Sequence, residues 1–231
     1  MSAIQKKTKS SLVEGKDVLL SEEITIFLLD VSGSMDDSIA DDGSFSLLEY
    51  PTKFRAMKKA MSKYIHQRMA AIQNGANDHV GVITFGEDVK LIHDPMSNNF
   101  DTLGRRVDAM RTGGSTPMAQ AIDLAIQTAE RFTTGMIRVI ICSDGYPDYK
   151  YNVIDKVVKG FEELGIIFDT IGVGNKNNYF GLDEEFLKEI AELGGGNYTF
   201  ISSYQEFTRK FLSLESERQL LLGNGILMLP K

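Results

Sequence analysis

Residues 24–34 read ITIFLLDVSGS, an apolar run that passes directly into a polar one. Ile24–Leu29 is mostly apolar on both of the faces that a strand presents, which is typical of a central strand covered by helices on either side. Asp30, Ser32 and Ser34 follow at its end. Ligands of parallel sheets bind at the edge where strands give way to loops. The stretch therefore predicts a buried strand followed by a candidate binding loop.

Apolar runs of the same kind recur along the chain and alternate with helical patterns. The further strand-like runs are Val80–Phe85, Val89–Ile92, Ile137–Cys142 and Ile166–Val173. Apolar residues at steps of three and four predict four helices, which contain Phe54–Ile72, Met118–Ala129, Val153–Leu164 and Phe186–Leu193. Pro117 stands at the start of the second helix, and Gly165 and Gly194 follow the third and fourth. This alternation indicates an open, mostly parallel sheet wrapped by helices.

One hairpin interrupts the alternation. Only Gly86-Glu87-Asp88 separates the runs Val80–Phe85 and Val89–Ile92, which predicts a short turn and one antiparallel edge strand. The predicted fold class is therefore α/β, a doubly wound three-layer fold with a mainly parallel central sheet of about six strands.

The composition is typical of a soluble globular protein, since 42% of the 231 residues are hydrophobic and 25% are charged. The net charge of −7 argues against nucleic acid or an anionic membrane as the main partner, because phosphate binding needs clustered basic charge. No apolar run of about 18 residues predicts a membrane span, and no unbroken apolar segment near the N-terminus predicts a secretory signal. We therefore expect a cytoplasmic protein.

The predicted organisation is an N-terminal arm, one domain and an apolar C-terminal tail, at residues 1–21, 22–214 and 215–231. The tail carries two apolar runs, Gln219–Leu222 and Ile226–Leu229, around a Gly-Asn-Gly turn, which predicts a hairpin or a strand that folds back. Packing on its own domain, with Val18–Leu20 as a candidate strand partner, is favoured because chain ends of domains often lie close together. The alternative is docking onto a partner or a second copy.

Most enzyme signatures are missing from the sequence. It contains no P-loop, and Gly172-Val173-Gly174 lacks the third glycine of a dinucleotide fingerprint, where Asn177 stands. The three histidines do not have the spacing of a zinc site. Cys142 is the single cysteine, which excludes a disulfide framework, and its apolar surroundings favour a buried structural thiol. We therefore expect no enzymatic activity.

Three separated segments bring oxygen-bearing side chains to the same predicted edge of the sheet. Asp30, Ser32 and Ser34 end the first strand, Thr116 lies at a glycine-opened turn before a helix, and Asp144 follows a later strand. Three hydroxyls and two carboxylates suit Mg²⁺ or Mn²⁺ rather than zinc. The alternative is that the serines and glycines merely form turns while the aspartates cap helices.

The runs LLDVSGSM (28–35), GGSTP (113–117) and ICSDG (141–145), in this order, resemble the metal-ion-dependent adhesion site of a von Willebrand factor type A domain. The resemblance covers residues 22 to about 214. It implies that Ser32, Ser34 and Thr116 bind the metal through their hydroxyls, and that Asp30 and Asp144 act directly or through bound water. The implied metal is Mg²⁺, with Mn²⁺ or Ca²⁺ as alternatives.

The function that the resemblance implies is a metal-dependent protein-interaction module, an adaptor rather than an enzyme. Neutral hydroxyl ligands leave the metal with positive charge and an open position, which in this family typically takes an Asp or Glu carboxylate of a partner protein. Without a signal peptide, the chain looks like the intracellular members, which serve ATPase chaperones, macromolecular assemblies or stress responses. The expected partner is a protein such as an ATPase chaperone, a kinase or an assembly component, with no nucleic acid and no membrane.

A Mg²⁺-dependent hydrolase, such as a phosphatase with Asp30 as nucleophile, is the alternative function. Such enzymes on similar folds commonly need a second aspartate two residues after the first and a lysine near the metal. Position 32 is a serine here, and no lysine flanks Asp144 in the sequence, which favours the binding module.

Residues 36–53 form an acidic insertion, because the first helix of the resembled family usually begins sooner after the metal loop. The insertion carries Asp36, Asp37, Asp41, Asp42 and Glu49. One of these carboxylates could block the open metal position, or their charge could repel an acidic ligand. The simpler interpretation is a solvated loop.

Overall fold

A computed structural model of the chain describes residues 23–44, 46, 50–73, 79–175 and 182–223, with side chains described as far as Leu214. The described strands are β1 Glu23–Asp30, β2 His79–Phe85, β3 Val89–His93, β4 Met136–Ser143, β5 Ile167–Val173 and β6 Gly195–Ile201. The described α-helices are α1 Lys53–Gln73, α2 Phe100–Ala109, α3 Met118–Ala129, α4 Lys150–Leu164, α5 Glu184–Leu193 and α6 Tyr204–Gly223. A single 3₁₀ turn, Gly33–Asp36, follows β1.

The strands form one sheet in the order β3-β2-β1-β4-β5-β6. β1 pairs in parallel with both β2 and β4, which places Asp30 beside Phe85 and Leu29 beside Cys142. β4, β5 and β6 continue the parallel pairing, whereas β3 runs antiparallel to β2. The predicted fold class is confirmed, including the antiparallel edge strand. This topology brings the ends of β1 and β4 together at one edge of the sheet.

Alternate side chains of β1 enter two separate apolar cores. Phe27 belongs to the core under α1, α2 and α6, where its ring stacks on Phe211 with centroids 5.4 Å apart and meets the edge of Tyr64 at 5.1 Å. Ile26 and Leu28 belong to the opposite core, under α3, α4 and α5. Because both faces are covered, β1 carries the nearly continuous apolar run that its sequence shows.

Helix α2 does not follow from the apolar pattern of the sequence. Its buried residues are only Phe100, Leu103 and Val107, and the segment is otherwise polar. Asn99 defines its start, since the Asn99 side chain accepts a hydrogen bond from the backbone N–H of Thr102 at 3.0 Å. A short helix with one narrow apolar stripe gives too weak a period to be recognised.

The sequence pattern does not predict strand β6, because the glycines at its start ordinarily indicate a turn. A Cβ atom on Gly196 would lie 2.2 Å from the carbonyl oxygen of Phe168. The glycine therefore permits a close approach of β6 to β5 that no other residue would allow.

Helix α6 continues across the boundary predicted at residue 214 and ends at Gly223. The predicted hairpin is therefore wrong for its first run, Gln219–Leu222, which is helical because residues 215–222 are mostly good helix formers and contain neither glycine nor proline. The second run, Ile226–Leu229, and Val18–Leu20 of the N-terminal arm lie outside the described residues. Within the described ranges, no helix combines the length and the apolarity needed to cross a membrane.

Candidate metal site

The loop after β1 folds so that two serine hydroxyls converge. The backbone N–H of Ser32 donates to Asp30 Oδ1 at 2.8 Å, which turns the chain sharply at the end of the strand. The Oγ atoms of Ser32 and Ser34 are 3.1 Å apart. Ser32 is buried and Ser34 is half-buried. The structure thus brings together the first three of the predicted site residues.

Asp30 lies behind this loop with no exposed surface. Its second oxygen, Oδ2, accepts a hydrogen bond of 2.5 Å from the hydroxyl of Ser143 at the end of β4. Burial raises the pKa of Asp30 to about 6, against the opposing effect of the hydrogen bonds from Ser143 and Ser32, and the nearby Asp144 raises it further. Ser143, which the sequence analysis did not select, thereby links the β1 loop to the end of β4.

Two backbone hydrogen bonds connect the loop that carries Thr116 to the loop that follows β1. Gly33 N–H donates to the carbonyl oxygen of Gly114 at 3.3 Å, and Gly113 N–H donates to that of Val31 at 2.8 Å. Gly114 has a φ of 77°, and a Cβ atom there would lie 2.4 Å from the backbone nitrogen of Glu87. Glycine is therefore required at position 114 for this loop to pass close to the turn between β2 and β3.

Asp148 fixes the position of Thr116 itself. The backbone N–H of Thr116 donates to Asp148 Oδ1 at 3.1 Å, and the hydroxyl of Ser115 donates to Oδ2 at 3.0 Å. Thr116 is only 6% exposed. No sequence pattern marks Asp148 as a site residue, because its role depends on a contact between two loops far apart in the chain.

Asp144 is fully buried and pairs with a lysine from a different part of the chain. Lys53 Nζ, at the start of α1, donates to Asp144 Oδ2 at 3.1 Å, and Lys53 itself is only 2% exposed. The same ammonium lies 3.4 Å from the carbonyl oxygen of Ser34 and 3.5 Å from Asp37 Oδ2. A lysine is thus present beside Asp144, although none flanks it in the sequence.

The sequence did contain a signal for Lys53. Ala56, Met57 and Ala60 follow it at steps of three and four and are all buried, so Lys53 lies on the buried face of α1. A lysine on a buried face needs an acidic partner, because an unpaired buried charge is costly. Lys53 was predicted only as the last residue of the acidic insertion, 36–53, and this signal was not used.

The donor set of this site is compatible with a hard divalent cation. Asp144 Oδ1 is buried and accepts no hydrogen bond, although Oδ2 of the same carboxylate pairs with Lys53. A buried carboxylate oxygen without a donor is unfavourable unless a cation or water meets it. The part of the chain that the structure describes contains no cluster of three or more His, Cys, Asp or Glu side chains for a metal. A metal at this site therefore needs the hydroxyls of Ser32, Ser34 and Thr116, whose roles as ligands stay predictions.

The acidic insertion, residues 36–53, contacts the rest of the domain at several points. Ile39 is buried, and the backbone N–H of Ala40 donates to the carbonyl oxygen of Ser202 at 3.2 Å. Asp42 Oδ2 accepts from the backbone N–H of Gln205 at 2.8 Å, in the first turn of α6. These contacts differ from the simpler interpretation of a solvated loop, because the insertion packs on the domain.

The aspartates of the insertion mostly have partners away from Asp144. Asp36 accepts from the hydroxyl of Thr112 at 2.5 Å, and Asp41 accepts from the backbone N–H of Gly43 at 2.9 Å. Asp37 is the exception, since it shares Lys53 with Asp144. Glu49 lies outside the described residues.

The chain is similar in sequence to one known bacterial protein. The chain is 26% identical over 204 residues to the uncharacterized protein YfbK of Escherichia coli (strain K12), a match that covers 85% of this chain and 31% of that protein. The chain thus spans about a third of the length of this relative.

Two solved structures share the fold at low sequence identity. The von Willebrand factor domain of the type V pili tip protein Mfa5 from Porphyromonas gingivalis has a TM-score of 0.68 at 9% identity, covering 90% of this chain and 98% of that one. The manganese-loaded TRAP protein of Plasmodium vivax has a TM-score of 0.59 at 17% identity, covering 84% of this chain and 74% of that one.

A family model described as the von Willebrand factor type A domain matches residues 25–146, more than half of the chain. The match begins in β1 and ends just after Asp144, so it includes all three segments of the candidate site. With the fold and this match in agreement, the chain belongs to the von Willebrand factor type A domain family.

Proposed function

We propose that the chain is a metal-dependent protein-binding module and that the site at the ends of β1 and β4 binds a carboxylate of a partner protein through a divalent metal. The observation that carries the proposal is the buried, unpartnered Asp144 Oδ1 in a site that also presents the converging hydroxyls of Ser32 and Ser34. Proteins of the von Willebrand factor type A family generally serve in protein interactions, which agrees with this function.

The proposed ligands are the hydroxyls of Ser32, Ser34 and Thr116, with Asp144 and Asp30 acting directly or through water. Both oxygens of Asp30 already accept hydrogen bonds, from Ser32 N–H and Ser143 Oγ, so this residue mainly orients the β1 loop. A bound Mg²⁺, Mn²⁺ or Ca²⁺ would supply a positively charged point for an outside oxygen ligand. The manganese-loaded state of the Plasmodium vivax protein is consistent with a hard-metal site on this fold.

The partner should present an Asp or Glu side chain to this site. Because most of the proposed metal ligands are neutral hydroxyls, the metal would keep enough positive charge to attract an external anion. A site built from four carboxylates would satisfy the metal and leave little attraction for a partner. We propose a cytoplasmic adaptor that acts on an ATPase chaperone, a kinase or a component of a larger assembly, including one of a stress response.

The alternative function, a Mg²⁺-dependent phosphatase, gains one specific observation. Lys53 Nζ lies 3.1 Å from Asp144, where such enzymes commonly place a lysine. Against it, Asp30 has no exposed surface, so its carboxylate is not open to a substrate, and its two oxygens already accept hydrogen bonds from Ser32 and Ser143. Turnover of a generic phosphate ester with Mg²⁺ that is lost in Asp30→Asn would favour the phosphatase.

Affinity capture with a matched pair of variants tests the binding module. The immobilised chain is exposed to lysate of its source organism, with Mg²⁺ or with chelator, and each retained protein is then purified and titrated directly. We expect a partner whose affinity falls at least about tenfold in chelator and in Thr116→Ala, since both remove the metal bridge. Thr133→Ala, which removes an exposed hydroxyl elsewhere, is the control and should bind normally.

The partner itself supplies the second half of this test. Replacement of one Asp or Glu of the partner by Asn or Gln should reproduce the effect of chelator. A partner that binds equally well with Mg²⁺, with chelator and to Thr116→Ala would contradict the proposed function.

A further inference from the structure

Lys53 is the one cation that the structure places in direct contact with Asp144 among the described residues. Its ammonium touches three separate segments: Asp144 after β4, the carbonyl oxygen of Ser34 in the β1 loop, and Asp37 in the acidic insertion. Lys53 and Asp144 are 91 residues apart in the chain and both are buried. This contact therefore joins the parts of the chain that form the candidate metal site.

The backbone around Lys53 is tied to the acidic insertion. Lys53 N–H donates to the carbonyl oxygen of Asp37 at 3.0 Å, and Ser38 forms an isolated antiparallel bridge with Thr52. Lys53 also begins α1, whose following buried residues pack in the core. These contacts fix the backbone position from which the Lys53 side chain extends to Asp144.

Two buried carboxylates, Asp30 and Asp144, lie near each other at this site. Buried charge is costly unless it is paired, so a cation beside these carboxylates stabilises the folded state. Lys53 meets that need with a covalently attached charge. A divalent metal at the neighbouring hydroxyls would interact with the same carboxylates and would be repelled by the ammonium.

We propose that Lys53 is an internal counter-ion that replaces the charge of the metal and competes with it for Asp144. This inference rests on the proposed function, since it concerns the same metal site. Lys53 stabilises the fold when metal is absent and lowers the affinity of the site for metal. The coupling is reciprocal, so bound metal weakens the contribution of Lys53 to stability. The domain thereby folds without metal and binds it reversibly.

Lys53→Met in the full chain tests the inference, because methionine retains most of the length of the side chain and removes its charge together with its hydrogen-bond donors. Lys63→Met is the matched control, since Lys63 is an exposed lysine of the same helix. Two quantities are measured for each protein: the thermal midpoint in chelator and in saturating Mn²⁺, and the dissociation constant for Mn²⁺ by calorimetry. Lys53→Gln, which keeps a hydrogen-bond donor without the charge, is the second variant if Lys53→Met does not fold.

We expect the midpoint of the Lys53 variant in chelator to fall by about 10 °C, because an uncompensated carboxylate remains buried. Mn²⁺ should raise that midpoint by more than it raises the wild-type midpoint, and the Mn²⁺ dissociation constant should fall by about tenfold. Lys63→Met should match the wild type in both measurements. Mn²⁺ binding that is unchanged or weaker in the Lys53 variant would overturn the inference, as would an unchanged midpoint in chelator.

These results separate the inference from the proposed function. Wild-type protein that binds Mn²⁺ normally, with no gain in the Lys53 variant, overturns the competition and leaves the proposed metal site intact. A Lys53 variant that binds Mn²⁺ more tightly supports the competition. If the partner then binds the chain equally well with and without metal, the metal-dependent binding module is contradicted. Absence of Mn²⁺ binding in the wild type and in every Lys53 variant overturns both.

Discussion

The hydroxyl of Ser143 donates a 2.5 Å hydrogen bond to Asp30 Oδ2 and so joins the ends of two neighbouring parallel strands. Both side chains have no exposed surface. Ser143 also accepts a hydrogen bond from the backbone N–H of Gly145 at 3.0 Å, which shapes the turn that contains Asp144. One buried hydroxyl therefore supports both loops of the candidate metal site.

Ser143→Ala should lower the free energy of unfolding by about 1–3 kcal/mol, because it leaves the buried Asp30 carboxylate with one donor fewer. Urea denaturation measures this change. Ser213→Ala, in which a hydroxyl of α6 bonded to the carbonyl oxygen of Lys210 is removed, is the control and should alter the free energy by less than about 0.5 kcal/mol. Equal losses in the two variants would show that the Ser143 hydrogen bond has no special role.

Gly114→Ala should both destabilise the domain and weaken metal binding. Its φ of 77° and the 2.4 Å approach of a Cβ atom to Glu87 require the loop to move, and Thr116 moves with it. We expect the free energy of unfolding to fall by about 2 kcal/mol or more, and the affinity for Mn²⁺ to fall clearly.

Gly113→Ala is the neighbouring control, because a Cβ atom there meets nothing within 4 Å. Urea denaturation measures the free energy of unfolding of both variants, and calorimetry measures their affinity for Mn²⁺. Metal affinity that is equal in Gly114→Ala and Gly113→Ala would contradict the requirement for close loop contact.

The ion pair of Asp94 and Arg131 should make a small contribution to stability that depends on pH. The hydrogen bonds from Arg131, at 2.6 and 2.7 Å, lower the pKa of Asp94 below its ordinary value. A carboxylate whose pKa is lowered in the folded state stabilises the protein at pH values above its pKa in the unfolded chain. This stabilisation is lost as the pH falls through the pKa that the carboxylate has in the folded state.

Asp94→Asn should therefore lower the free energy of unfolding by less than about 1 kcal/mol at pH 7, since the pair is partly exposed. At a pH well below the folded pKa of Asp94, the substitution should leave the free energy of unfolding unchanged. Urea denaturation over a series of pH values from 7 downwards measures how this cost changes. Asp155→Asn, on the exposed side of α4, controls for the loss of one carboxylate. A cost that increases on acidification would contradict the assigned role of the pair.

Three exposed tyrosines follow Asp144 and suit the proposed partner surface. Tyr146, Tyr149 and Tyr151 are 43%, 73% and 82% exposed, on a segment that Asp148 fastens to the Thr116 loop. Exposed tyrosines are enriched among the residues that contribute most to protein interfaces.

The combined variant Tyr149→Ser and Tyr151→Ser should weaken binding of the partner at least about tenfold and leave Mn²⁺ affinity unchanged. Met96→Ser is the control, because the exposed Met96 follows the antiparallel strand β3 and lies at the opposite edge of the sheet. Direct titration with the purified partner compares the three proteins. Equal affinities would exclude this segment from the interface.

The residues of the candidate site could be recognised from the sequence because each lies next to a strong local signal. Asp30, Ser32 and Ser34 directly follow the apolar strand β1, and Asp144 directly follows β4. Parallel pairing of β1 with β4 then brings these segments together without further information. Short-range patterns were sufficient because a parallel sheet gathers the carboxyl ends of its strands at one edge.

Lys53 and Asp148 could not be assigned in the same way. The apolar period of α1 indicates that Lys53 lies on a buried face, but neither the partner of Lys53 nor the role of Asp148 follows from local sequence. The acidic insertion is a similar case, because its contacts with Ser202 and Gln205 join it to the start of α6, far away in the chain. The run Gln219–Leu222 was misassigned since a short apolar run does not distinguish a strand from a helix.

Calorimetric titration with Mn²⁺ of the wild type and of the double variant Ser32→Ala and Ser34→Ala tests the central claim most directly. The variant removes both converging hydroxyls and leaves Asp30 and Asp144 in place, and far-UV circular dichroism checks that it is folded. We predict one Mn²⁺ bound per wild-type chain and a loss of at least about tenfold in affinity in the variant. Equal affinity in the two proteins would contradict a metal site at the ends of β1 and β4.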